Sequence, residues 1–171
     1  AVYNTLRTCV TVTTNTIHFG INQWTQNNKG KGLGIINDIA IDPIDTNIIY
    51  AATWEGKIFK SFDNGEDWQE ITNGLGGDTI NALAIVPTNH EVLYAGSYAN
   101  IYKSVDGGEN WSDIAHVNDA NNIIIDFLNT ETIYAGSGSG MLKSVDGGKT
   151  WAKINTGLTY THIFEDALVM D

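Results

Sequence analysis

Short apolar runs recur along this chain at near-regular intervals, each followed by a polar break. "DIAID", "ALAIV" and "IIIDF" are the first runs of three successive stretches. Their density of apolar residues is that of strands buried on both faces. A loop of Pro, Asn, Asp or Thr follows each, and then "NIIYAAT", "EVLYAGS" or "ETIYAGS". A third run, "KIFKS", "NIYKS" or "GMLKS", alternates in part. After a Gly-rich acidic turn, a fourth strand is predicted to begin beside a tryptophan, in "DWQEIT", "NWSDIA" and "TWAKIN". No segment sustains the 3.6-residue period of a helix, so the pattern predicts an all-β chain.

The four-strand pattern is an internal repeat. "SFDNGEDW" (61–68), "SVDGGENW" (104–111) and "SVDGGKTW" (144–151) keep Ser, Asp, Gly and Trp in one register, with serine spacings of 43 and 40. Ile41 and Tyr50, Ile85 and Tyr94, and Ile125 and Tyr134 are each nine residues apart, and Lys60, Lys103 and Lys143 each precede the motif serine. Trp24 lies 44 residues before Trp68 and reads as the end of an earlier unit that has lost its Asp-bearing turn. Four short strands in a period of about 40 to 45 residues are the signature of a β-propeller blade.

The repeated residues suit a fastener. Asp63, Asp106 and Asp146 are short acceptors for nearby backbone N–H groups, and Ser61, Ser104 and Ser144 add a second local bond. Gly65, Gly108 and Gly148 suit a positive φ. Trp68, Trp111 and Trp151 offer a large apolar surface to anchor the turn. The spacing does not match a calcium-binding EF-hand loop, and the third copy, "DGGKT", loses acidity.

"S-x-D-x-G-x-x-W" resembles the Asp-box, or BNR repeat, of sialidase-like propellers. The surrounding text also resembles the blades of xyloglucanase-type glycoside hydrolases and of photosystem assembly factors. The resemblance implies four-stranded antiparallel blades with Asp-box turns between the third and fourth strands, away from the functional centre. It also implies an extracellular or periplasmic setting. One propeller domain is expected over 1–171, with blades near 36–78, 79–120 and 121–160. Residues 1–35 and 161–171 would form a partial blade, each completing the other. At about four blades per chain, the expectation is a four-bladed ring, a homodimer or larger assembly that completes a bigger ring, or a fragment of a longer propeller.

Composition narrows the chemistry. The chain has 171 residues, is 42% hydrophobic, and carries a net charge of −11. Arg7 is its one arginine, beside eight lysines. Nucleic-acid binding, which needs clustered positive charge, is excluded as an expectation. No apolar stretch approaches the roughly 18 residues needed to span a bilayer, so no membrane insertion is expected. The chain begins at Ala1 without a start Met or signal peptide, as a processed or trimmed end would. Cys9 is alone, so no internal disulfide or cysteine metal site is expected. No cofactor motif is present and no metal site is expected. Sialidases resemble one another in gripping a carboxylate with three arginines, which this chain lacks. Xyloglucanase-type enzymes use two aspartates as acid and base, and inverting chemistry needs carboxyls roughly 6.5–9.5 Å apart. No catalytic residue is assigned.

A ligand face is expected opposite the Asp-box turns, where second-to-third-strand loops meet the connections between blades. Trp54 and Tyr98 occupy equivalent loop positions, beside Glu55, where the third unit has only Ser and Gly. Exposed aromatics beside a carboxylate make a platform for a glycan or a peptide; packing between blades is the alternative role. His116 and His162 lie in connections on the same face, whereas His18 and His90 read as ordinary loop or strand residues. The sequon at Asn110 lies inside a turn and is taken as coincidence. The leading expectation is a non-catalytic module binding a protein or glycan. The alternatives are a xyloglucanase-like hydrolase and a self-assembling subunit whose strand edges pair chain to chain.

Overall fold

The computed structural model of the chain describes residues 32–157. These form three four-stranded antiparallel sheets, each built from strands consecutive in the chain. The first holds β1 (Ile36–Ile41), β2 (Ile49–Thr53), β3 (Ile58–Ser61) and β4 (Gln69–Glu70). The second holds β5 (Ile80–Ile85), β6 (Leu93–Ser97), β7 (Asn100–Ser104) and β8 (Ser112–His116). The third holds β9 (Ala120–Ile125), β10 (Ile133–Ser137), β11 (Gly140–Ser144) and β12 (Ala152–Lys153). The expected all-β class and the four-stranded unit are both present.

The register repeats with the sequence. Tyr50 lies opposite Lys60, Tyr94 opposite Lys103, and Tyr134 opposite Lys143 on the second and third strands. Each first strand is irregular near its start, between Ile36 and Asp38, between Ile80 and Ala82, and opposite Gly136 and Ser137. Such a shift strengthens the local twist. The fourth strands differ in length: β4 and β12 have two residues and β8 has five. The predicted fourth strands were of equal weight, but only "SDIAH" pairs along its length.

Two hydrophobic clusters lie between the sheets. Tyr50, Ile58 and Ile71 of the first unit meet Leu83, Leu93 and Trp111 of the second. Tyr94 and Ile101 of the second meet Ile123, Ile133 and Leu142 of the third. Each sheet therefore covers its neighbour, as stacked repeats require. The first strands do not all share the expected two-sided burial. Leu83 and Ile123 are each 7% exposed, but Ile39, at the equivalent place on β1, is 56% exposed. The difference is positional, because the described residues contain no unit preceding β1.

The first strands stand side by side. Asp38 Oδ2 accepts the Leu83 N–H at 2.7 Å, and Asn37 Nδ2 donates to the Ile80 carbonyl at 3.0 Å. Asn81 Nδ2 donates to Asp119 Oδ1 at 3.1 Å and Asn121 Oδ1 at 3.2 Å. At the opposite end of the sheets, His90 Nδ1 lies 2.7 Å from Asp42 Oδ2, joining the first-to-second-strand loops of adjacent units. Asp42 is nearly inaccessible; burial opposes its charge, but N–H donors from Asp45 and Ile44 and the His90 contact outweigh it and lower its pKa.

Candidate functional site

The repeated turns share one hydrogen-bond pattern. The Ser61, Ser104 and Ser144 hydroxyls each donate to the motif Asp at 2.8 Å. The same oxygens accept the Gly65, Gly108 and Gly148 N–H groups at 2.8, 2.9 and 2.9 Å. Asp63, Asp106 and Asp146 then accept the N–H groups of Asp67, Asn110 and Thr150, each at 2.9 Å. The Thr150 hydroxyl and N–H, with Ser144, hold the Asp146 carboxyl down at about 2. Asn110 and Ser104 lower Asp106 in the same way. The Asn110 side chain is engaged by Asp106 and Asn73. Trp68 and Trp151 donate to the carbonyls of Gly65 and Gly148, whereas Trp111 donates across units to Ile71.

These turns lie at the end of the sheets occupied by the first-to-second-strand loops: Asn64, Gly107 and Gly147 N–H groups donate to the carbonyls of Asn47, Glu91 and Glu131. The opposite end carries the second-to-third-strand turns and the connections between units. There, hydrogen bonds run unbroken across all three sheets. Trp54 N–H donates to Ile35, the Thr79 hydroxyl to the Trp54 carbonyl, and Tyr98 N–H to the Thr79 carbonyl. Asp119 N–H donates to Tyr98, and Gly138 N–H to Asn118 and Asp119. Trp54, Tyr98 and Gly138 are thus equivalent positions in one braced face.

Backbone bracing leaves the two aromatic side chains outward. Trp54 is 61% exposed and Tyr98 62% exposed, so neither serves as packing between the described units. Glu55 turns back: its Oε1 accepts the Ile35 N–H at 3.4 Å, and a Cβ on Gly34 would collide with its carboxylate. His116 ends β8, its Nδ1 2.6 Å from Asn100 Oδ1. It lines a groove of about 300 Å³ between the second and third units, with Asn118, Ser137, Ser139 and Lys153. A larger open groove, about 540 Å³, runs by Glu70, Asn73, Glu109 and Asn110, beside a repeated turn and apart from the aromatics. His162, Trp24 and Arg7 lie outside the described residues, so the expected pairing of His116 with His162 has no geometry here.

Sequence reasoning missed the amide row. Asn37, Asn81 and Asn121 are the second residues of β1, β5 and β9, on the end of each strand nearest the aromatic turns. The available signal was an Asn at one register position of every first strand. Among the described residues, no three His, Cys, Asp or Glu gather as a metal site.

No protein-family model matches the sequence, and no curated protein matches it. Solved structures do. A GH74 enzyme from Niastella koreensis is 26% identical, with a TM-score of 0.61 over 74% of this chain and 23% of that one. YCF48 bound to D1 peptide is 17% identical, with a TM-score of 0.57 over 68% of this chain and 39% of that one. The extracellular domain of a one component system from B. thetaiotaomicron is 14% identical, with a TM-score of 0.61 over 76% and 18%. All are β-propellers, and this chain spans less than two-fifths of each. The fold is a partial β-propeller of about three to four blades.

Proposed function

We propose that this chain is a non-catalytic propeller module that binds a partner on the face carrying Trp54 and Tyr98. The observation behind the proposal is the exposure of two broad aromatic side chains at equivalent turns of adjacent units, on a backbone braced through Thr79. A rigid platform binds with little ordering cost, and ring faces of this kind stack against sugars or apolar peptide side chains. Glycan is the preferred class, because the same face carries the amides of Asn81 and Asn118 and the Glu55 carboxylate, hydrogen-bonding groups suited to hydroxyls. The repeated turns are read as Asp-boxes of the BNR type, one per blade, with blades near 36–78, 79–120 and 121–160.

Among structural neighbours, a GH74 xyloglucanase from Xanthomonas campestris and peptide-bound YCF48 exemplify polysaccharide and peptide partners on this fold. The second reading is hydrolysis, favoured by the presence of Glu55, Asp78 and Asp119 near the same face and by the likeness to GH74 enzymes. It requires one carboxyl as acid and another as base. Affinity electrophoresis through gels containing xyloglucan or other plant polysaccharides, run beside a peptide array, tests the binding reading. Retardation lost in both Trp54→Ala and Tyr98→Ala supports the glycan platform, and binding confined to the peptide array moves the partner class to peptide. Reducing-sugar release abolished by neutralising one of the three carboxylates supports the hydrolase instead.

A further inference from the structure

The clefts between adjacent units are built alike but not filled alike. At the aromatic face, the cleft between the first and second units is bridged by the buried Tyr102. Its Oη accepts the Gly76 N–H at 3.1 Å and an Asn100 Nδ2 proton at 3.0 Å. Leu75, from the same connection as Gly76, packs against the cluster that holds Tyr102. Between the second and third units this filling is missing. Leu142 stands in the place of Tyr102, since Leu142 lies opposite Ala135 as Tyr102 lies opposite Ala95. The connection is also shorter: Ala120 follows Trp111 by nine residues, whereas Ile80 follows Trp68 by twelve. The groove of about 300 Å³ opens here, with Leu142 in its wall.

Its polar groups are uncommitted. Lys153 Nζ, the Asn118 side-chain amide and the Ser139 hydroxyl line it or border it without a hydrogen-bond or ion-pair partner among the described residues. His116 is held on one side only. Asn100 Nδ2 donates to Tyr102, which turns Oδ1 toward His116 Nδ1, 2.6 Å away, and makes that nitrogen the donor. Asp113 also lies on the Nδ1 side, at 3.7 Å. Nε2 is left to accept a hydroxyl proton, or to donate to an anion when the ring is protonated. No carboxylate is among the described residues that line the groove. A free ammonium with neutral donors around it stands out on a chain of net charge −11. The groove also adjoins the aromatic platform, because Asp119, next to Asn118, donates its N–H to the Tyr98 carbonyl at 2.7 Å.

We propose that this groove binds a carboxylate-bearing sugar, a uronic acid residue of an acidic glycan. Lys153 pairs with the carboxylate, as a charge-assisted hydrogen bond. Asn118 and Ser139 both donate and accept, as ring hydroxyls do, which favours a sugar over a peptide carboxylate. Val117 and Leu142 supply apolar surface for the ring, and a neighbouring residue of the glycan reaches Tyr98. The assignment rests on the glycan reading of the Trp54 and Tyr98 face and adds to it the class of sugar.

The test is affinity electrophoresis of the 171-residue chain in gels cast with polygalacturonate, xyloglucan or polyglutamate. It is read beside amide NMR shifts on adding free galacturonate or galactose. The expected result is stronger retention by polygalacturonate than by either other polymer, with galacturonate shifts centred on Asn118 and Ser139. Lys153→Gln should weaken polygalacturonate retention about tenfold, as for one lost charge-assisted bond, and leave xyloglucan retention and the circular dichroism unchanged. Leu142→Tyr, which restores the bulk of Tyr102, should abolish the galacturonate shifts. Equal shifts from galactose, equal retention by polyglutamate, or full polygalacturonate retention in Lys153→Gln would each overturn the proposal. Xyloglucan retention through Trp54 and Tyr98 with no shift at Asn118 or Ser139 overturns it and leaves the platform standing. Galacturonate shifts there without xyloglucan retention support the groove and count against the platform.

Discussion

Tyr94 donates its hydroxyl proton to the carbonyl of Gly147, 3.0 Å away and one unit further along the chain. Lys103 donates to the same oxygen at 2.9 Å, so one carbonyl carries two donors from one neighbouring sheet. Either donor alone still satisfies the acceptor. Tyr94→Phe or Lys103→Met singly is therefore expected to cost about 1 kcal/mol. The double variant is expected to cost more than the sum, because it leaves a buried carbonyl orphaned. Urea denaturation of the four members of the cycle measures this, and simple additivity would contradict the shared-acceptor latch.

Tyr94 also makes a pH prediction. Burial, with the nearby Glu131 charge, raises its phenol to about 12 from an ordinary 10.0. The fold favours the protonated, donating form, so its contribution is complete below the ordinary value and is lost as pH rises through about 12. Ultraviolet titration should show tyrosinate absorbance from this residue appearing near pH 12, and its loss in Tyr94→Phe assigns it.

At the acid end, Asp146 behaves oppositely. Its carboxyl is held at about 2, below the ordinary 3.8, by the Thr150 hydroxyl and N–H and by Ser144. The charged form is the stabilised one, so the turn's contribution is complete above the ordinary value and is lost as pH falls through about 2. Carboxyl-carbon NMR titration should place the midpoint there. Thr150→Val, which deletes the 2.6 Å hydroxyl bond, should move it upward; an unmoved midpoint would show that the hydroxyl is not the cause.

The motif glycines are not equivalent. Gly65, Gly108 and Gly148 all have φ between +87° and +94°, so alanine carries a backbone cost of about 1–3 kcal/mol at each. At Gly108 and Gly148 a Cβ would also meet the Cδ1 atoms of Ile71 and Ile114 at 2.5 and 2.6 Å. At Gly65 the nearest contact among the described residues is Trp68, at an ordinary 3.4 Å. Gly108→Ala and Gly148→Ala should therefore lower the thermal midpoint more than Gly65→Ala. Equal losses would mean that the Ile side chains yield freely.

Much of this architecture is written locally. Repeated β-branched and aromatic runs specify strands, and a turn whose Ser, Asp and Gly bond one another needs no distant partner to be recognised. The relations between sheets were harder to read. Lys60, Lys103 and Lys143 stand out by position, but the acceptors of the first two lie in another unit, 47 residues from Lys60 and 44 from Lys103. The exposure of Ile39 depends on what precedes β1, which its own sequence cannot express. Trp54 and Tyr98 were identifiable as the aromatic exceptions in small, polar turns. Glu55 was identifiable only as a residue, since its fold back over Gly34 follows from packing. The Asn37, Asn81 and Asn121 row emerges only when first strands are seen side by side.

The most direct test of the binding face is affinity electrophoresis of the wild-type chain, Trp54→Ala, Tyr98→Ala and, as a control, Val145→Ala, through a gel cast with xyloglucan. Val145 is equally exposed, at 62%, but sits on the repeated-turn end. The account predicts retardation of the wild type and of Val145→Ala, with roughly tenfold weaker retention for either aromatic variant, as expected for losing about 1.4 kcal/mol of stacking. Retention unchanged in both aromatic variants, or weakened equally by Val145→Ala, would contradict it.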